Sequence, residues 1–225
     1  MSSTNPGHAP SGSVPRGGLR TRIDLAALAR NLRRARAALP EGVAPATDLS
    51  ADAWGHGRTA CAAVLREAGF SVDPAEASTV APEVVWGLDA TALTEPVMRA
   101  AGIVLSTKAL RAGEGVSYGY LHRAPRDTRI ALVTGGYAQG VVRSLGGRAV
   151  VVIDGLRHPI VGRVAMDVCV VDIGDAAVDR GAEAVFFGDP ADGAPSVREW
   201  VTATGMTAIE LVAAVGVHSE REHVA

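Results

Sequence analysis

The sequence predicts an α+β protein: an antiparallel β barrel or sandwich preceded by a short helical part. Three observations lead there. The segment "IDLAALARNLRRARAALP" repeats apolar residues at helical spacing. After about residue 83, seven short β-rich runs follow one another, separated by Gly, Pro and Asp clusters. Two capping-box signatures then announce two closing helices.

Along the chain, residues 1–18, "MSSTNPGHAPSGSVPRGG", are rich in Ser, Pro and Gly, and are expected to be a disordered tail. A helical part is expected over residues 19–82. Its first helix has Asp24 as N-cap and Leu25, Leu28, Leu32, Ala35 and Leu39 on one stripe, with Arg30, Arg33, Arg34 and Arg36 off it. Pro40 limits it. A second helix, "RTACAAVLREAGF", buries Cys61, Val64 and Leu65 and ends at Gly69. The β domain is expected over residues 83–225, with "VVWGL", "GIVLSTKAL", "TRIALVTG", "AVVVI", "HPIVGRV", "DVCVVDI" and "EAVFFG" as strands. Ser196 with Glu199, and Thr207 with Glu210, mark the two helices near the end.

Composition narrows the function classes. The 225 residues carry a net charge of −2, with 22 scattered basic residues, so no footprint for nucleic acid is present. No apolar run has transmembrane length, and the N-terminus lacks a signal-peptide core. Cys61 and Cys169 read as reduced core residues. A cytoplasmic protein is the expectation. Lys108 is the only lysine, hence the only side-chain amine for Schiff-base chemistry, and its strand setting points it at solvent. "RIALVTGGYAQG" imitates a nucleotide-binding turn, but Gln139 and Val141 break the glycine rhythm and no crossover helix follows. No His, Cys or carboxylate set has metal-ligand spacing.

Several motifs in order resemble the alanine racemase family, which uses pyridoxal phosphate. They are "AGEGVSYGY" (112–120), "RAPRDTRIALV" (123–133), "GYAQG" (136–140) and "HPIVGRVAMDVCVVDIGD" (158–175). "ADAWGHG" (51–57) and the first helix are similar to the start of that family, and "TVAPEVVWGLDAT" (79–91) to the last strand of its barrel. A complete (β/α)₈ barrel takes roughly 250 residues, so the resemblance implies that its middle is missing. Pro45, Thr47 and Asp48 interrupt even the first remnant strand.

The resemblance also assigns roles. The residue before Ala-Asp-Ala is the family's Schiff-base lysine; here it is Ser50, followed by Trp54 in place of tyrosine, and a phosphate-binding tyrosine falls on Ile209. No pyridoxal phosphate, and no other cofactor, is therefore expected. The family's catalytic tyrosine matches Tyr118. Tyr137 and Arg143 match residues lining the site entrance, and Met166 and Asp167 match a pair approaching from the partner subunit. The expected acid–base groups are Tyr118 and Asp167. Trp54, Trp86, Tyr137, Arg143, Met166 and His56 are the expected substrate contacts, on a homodimer binding a small molecule. Ser50, Asp52 and His56 lie close in sequence, but spacing alone supplies neither a positioned nucleophile nor an oxyanion hole. The leading expectation is a cofactor-independent isomerase, cyclase or lyase, fitting a specialised-metabolism role by analogy; the alternative is a non-catalytic binding or regulatory dimer.

Overall fold

The structure is a computed structural model and describes residues 18–73, 79–88 and 93–225, with the Tyr118 side chain outside the described set. Residues 1–17 of the expected tail and part of "WGLDAT" thus lie outside the described residues. The chain opens with strand β1 (Arg20–Asp24), whose alternation puts Thr21 and Ile23 inward and Arg20 and Arg22 outward. Helix α1 (Leu25–Ala38) follows directly, and the Asp24 carboxylate accepts from the Ala27 N–H at 2.7 Å, the N-cap its sequence signals.

Between α1 and the barrel come a single turn, α2 (Ser50–Trp54), then α3 (Arg58–Glu67) and α4 (Pro82–Val85). "VVWGL" was expected as a strand. It is instead the end of α4 and its C-cap, because Pro82 at the first helical position presets a helical turn and Trp86 caps it. In this region the only strand-like pairing among the described residues is a lone parallel bridge between Ala46 and Ser71.

The barrel is built from β2 (Met98–Leu110), β5 (Thr128–Thr134), β6 (Val150–Ile153), β7 (Leu156–Val161), β8 (Val168–Asp172) and β9 (Glu183–Phe187). Their order is β2-β5-β8-β7-β6-β9, all antiparallel, and a β2–β9 pairing closes the ring. Closure depends on β2. Its first half pairs with β1 and β9, its second with β5, and bulges at Ala100/Ala101 and Val104/Ser106 bend it between them. At that bend a Cβ on Gly102 would sit 2.1 Å from the Thr134 carbonyl oxygen, so only glycine fits. A small hairpin of β3 (Gly115–Val116) and β4 (His122–Arg123) folds over the barrel's outer wall.

After the barrel, α5 (Val197–Thr204) and α6 (Ala208–His218) start at the two expected capping boxes, with Ser196 and Thr207 as N-caps. A further strand, β10 (Glu220–Val224), then runs parallel to β1. The helical part and the barrel share one hydrophobic cluster, running from Leu28 and Leu32 through Trp86 and Phe186 to Trp200 and Val215. The α1 stripe is therefore covered by its own chain: Leu28 and Leu32 are fully buried. Asn31, also fully buried, clamps the strand-like approach to β2: its amide donates to the Val85 and Glu95 carbonyls and accepts from the Glu95 N–H. Among the described residues no single helix is long and apolar enough to cross a membrane.

Candidate functional site

Two groups of candidate residues emerge, one on each side of α6. The first surrounds the turn α2. Ala51, Asp52, Ala53 and Trp54 all have φ between 50° and 57°, a left-handed turn of L residues. Such a conformation costs about 1–2 kcal/mol per residue, so the surroundings must impose it. Asp52 accepts from the Arg58 N–H at 2.8 Å and pairs with Arg221 of β10 at 2.8 Å; Arg221 also donates to the Gly55 carbonyl at 2.7 Å. Gly55 lies against the backbone of α6 at Gly216.

Here Ser50 is exposed, and its hydroxyl donates to the Asp48 carboxylate at 2.7 Å. Trp54 is half-buried, with its Nε1–H 3.3 Å from the Asp48 carbonyl. Trp86 and His56 are fully buried and stack on each other at 4.2 Å. Burial holds the His56 imidazole down at about 4, neutral at physiological pH. These two expected substrate contacts face the interior, because the indole and imidazole fill it against each other. Cys61, alongside, is buried and its thiol is pushed up to about 12 by desolvation. Cys169, inside the barrel, is buried likewise.

The second group sits on the barrel rim. The turn Gly135–Gln139 is laced to Ala165–Asp167: the Tyr137 N–H donates to the Ala165 carbonyl, Ala138 to Met166, and Gly135 to Asp167, at 2.9–3.0 Å. A Cβ on Gly136 would lie 2.1 Å from the Met166 carbonyl oxygen, so the contact requires glycine. Gln139 donates to the Asp167 carboxylate at 3.2 Å. The Arg143 guanidinium lies 5.2 Å above the Tyr137 ring, a cation–π contact. Tyr137, Arg143, Met166 and Asp167 are thus brought together, and all four are exposed.

Tyr118 belongs to this rim through its backbone. Ser117, just before it, has φ 67° and ψ 170°, a region L residues rarely occupy. Its hydroxyl offsets that strain by accepting from the Arg163 N–H and donating to the Arg163 carbonyl, both at 2.8 Å. The Tyr118 turn is in this way pinned three residues from Met166. Ser117 and Arg163 lie inside two of the matching motifs, but neither is singled out there as a site residue; their hydrogen-bonded pairing is what identifies them.

The family's cofactor does not fit the residues at the first group. Position 50 offers an oxygen already bonded to Asp48, and Ile209 is a buried hydrocarbon. Lys108, the single amine, stands exposed on the outer wall of the barrel, paired with Ile130, in a cleft of about 420 Å³ with Ser106, Ser117 and Tyr120. Among the described residues no group of three His, Cys, Asp or Glu side chains could hold a metal ion.

A closed six-stranded antiparallel barrel, with a left-handed turn docked on its helical flank and a Tyr-Arg-Met-Asp rim, defines the class: the β domain of a racemase-type fold. The family model for the alanine racemase C-terminal domain matches residues 97–223, and the chain belongs to the alanine racemase family. The alanine racemase of Mycobacterium tuberculosis (strain H37Rv) is 47% identical over 119 residues, 52% of this chain and 31% of that protein. That of Streptomyces coelicolor is 37% identical over 145 residues, 64% of this chain and 37% of that protein. The chain thus spans about a third of the length of the curated relatives it matches. The crystal structure of alanine racemase from D-cycloserine-producing Streptomyces lavendulae superposes with a TM-score of 0.84 at 19% identity, covering 94% of this chain and 98% of that one. That likeness is one of fold.

Proposed function

We propose that this chain is an acid–base enzyme acting on a small molecule without pyridoxal phosphate, by isomerisation, cyclisation or elimination. The observation that carries the reading is the rim: Tyr137, Arg143, Met166 and Asp167 are locked together and open to solvent, beside the Tyr118 turn, while position 50 is a serine. A phenol and a carboxylate on one rim can take a proton from one position of a substrate and return it to another. Arg143, already oriented over Tyr137, presents a planar donor fork to the polar end of the substrate. The rim also exposes Tyr120 and Leu121, apolar surface that supports a homodimer. A cytoplasmic setting goes with this reading, as do its two buried thiols.

The test is solvent-proton exchange. Incubated in deuterated buffer with a panel of small carbon acids (amino, hydroxy and keto acids), the protein should catalyse hydrogen exchange at carbon, followed by NMR. A panel with no exchange above buffer would withdraw the enzymatic reading.

A second reading, a non-catalytic binding or regulatory dimer, is favoured by one observation. The His56–Trp86 stack is fully buried, so the helical part contributes packed interior where an active site would need open volume.

A further inference from the structure

Three chain segments meet at a cleft beside the rim, and close contacts that glycine permits bring them together. A Cβ on Gly146 would lie 2.0 Å from the Gly162 carbonyl oxygen, and one on Gly162 would lie 2.4 Å from the Ser117 Cβ. The Gly147 N–H donates to the Ile160 carbonyl at 2.8 Å. The loop after Val142 and the end of β7 are thereby packed backbone to backbone, and the Ser117 side chain of the Tyr118 turn closes against Gly162. Around the resulting cleft, of about 340 Å³, stand Arg143, Arg148, Arg163 and His122.

The charge of this lining is one-sided. None of the residues lining the cleft is acidic. None of the three guanidinium groups has a carboxylate partner among the described residues, whereas Arg30, Arg34, Arg99, Arg157 and Arg221 all do. Arg148 gives one N–H to the Ala203 carbonyl, and Arg143 spends only its face on Tyr137. The His122 Nε2 is buried and has no hydrogen-bond partner among the described residues. A buried imidazole nitrogen left unpaired is costly unless a ligand completes it.

We propose that this cleft binds the phosphate group of a small molecule. Three planar donor forks and an imidazole exceed what the two oxygens of one carboxylate can accept. A tetrahedral dianion offers three terminal oxygens, one for each guanidinium, and sets two negative charges against their three positive ones. Taking that molecule to be the substrate rests on the acid–base reading of the adjoining rim; the binding itself does not.

Isothermal titration of the full chain with inorganic phosphate, and separately with acetate, decides it without any turnover assay. Phosphate should bind at millimolar concentrations or tighter, more weakly as salt rises, and at least tenfold tighter than acetate. Arg163→Gln and Arg143→Lys should each weaken phosphate about tenfold, the second keeping the charge but losing the fork. Arg180→Gln, outside the cleft, should change nothing. The His122 ring signals should shift on phosphate addition in the unaltered chain, a readout that needs no variant. Absence of phosphate binding, equal affinity for acetate, or unchanged binding by both cleft variants would overturn the proposal while leaving proton exchange at the rim to be judged on its own assay.

Discussion

The imidazole of His56 lies flat on the indole of Trp86, 4.2 Å between centroids and 15° between planes, with both side chains fully buried. The histidine's Nδ1 is 3.0 Å from the carbonyls of both Ala53 and Trp54. Carbonyls only accept, so Nδ1 carries the proton and Nε2 is left bare, buried and without a partner. This pair joins the left-handed turn to the segment leading into β2. It is a structural joint, and an acid-sensitive one.

The first prediction follows from that joint. Desolvation holds His56 at about 4 when folded, against about 6.5 in the unfolded chain. A depressed value means that the unfolded state takes up the proton first. The stability His56 contributes is therefore complete above about pH 6.5 and lost as pH falls through 4, by about 3 kcal/mol in all. Urea unfolding at a series of pH values should show that loss, and His56→Gln should flatten it. An equal slope in the variant would assign the acid sensitivity elsewhere.

The second prediction concerns pyridoxal phosphate. Ser50 is a hydroxyl bonded to Asp48, so mixing the protein with the cofactor should give no Schiff-base absorbance at this turn. Ser50→Lys should not create alanine racemisation either. Borohydride trapping of the cofactor on the unaltered chain, mapped to Lys108 by mass spectrometry and accompanied by racemisation, would refute this.

Much of this fold is readable from local signals, and what is not readable is non-local. Asp24, Ser196 and Thr207 cap helices from their own sequence neighbourhoods, and most of the strands are apolar runs between turn residues. β10, "EREHV", is a charged edge strand with no apolar face to announce it, and its place beside β1 is set 200 residues away. Nothing local announces the left-handed turn at 51–54. Its hand is imposed by Arg221 and by contact with α6, both remote in sequence. The candidate site divides the same way. Tyr137, Arg143, Met166 and Asp167 are singled out by the family resemblance and do converge, whereas Ser117 and Arg163, though inside the matching motifs, and His122 acquire a role only from the contacts that gather them.

The third prediction addresses the rim. Tyr118→Phe and Asp167→Asn each remove one ionisable function with little change of volume, and Asp167 is exposed. Proton exchange at carbon should fall by roughly 10²–10⁴-fold in each, while the unfolding midpoint moves little. Full exchange by both variants would show that these motifs serve the fold and not the chemistry.

The fourth prediction is association. The α1 stripe needs no partner, since its own chain covers it, so the argument rests on the rim. Tyr120 and Leu121 are 67% and 63% exposed, and Met166 is 55% exposed. Exposed apolar surface of this kind around the Tyr118 turn is usually buried by a second copy. Multi-angle light scattering at micromolar protein should give twice the chain mass, and Leu121→Asp should return the monomer. A monomer from the unaltered chain would remove the dimer from the proposed function.

The last prediction isolates the left-handed turn. Replacing an interior helical glycine by alanine ordinarily stabilises a helix by about 1 kcal/mol. Gly216 lies within α6, so propensity alone makes Gly216→Ala favourable. Its Cβ, however, would meet the Gly55 carbonyl oxygen at 2.2 Å and the Gly55 Cα at 2.7 Å. Both are backbone atoms of a turn held by Arg221 and Asp52, so neither can rotate aside. Overpacking of this kind costs about 1–3 kcal/mol and should exceed the gain from propensity. Gly216→Ala should therefore lower the unfolding midpoint. It should also shift the intrinsic tryptophan emission to longer wavelength, because the turn that seats His56 on the buried Trp86 is displaced. A variant more stable than the parent, with unchanged fluorescence, would mean that α6 does not set the hand of this turn.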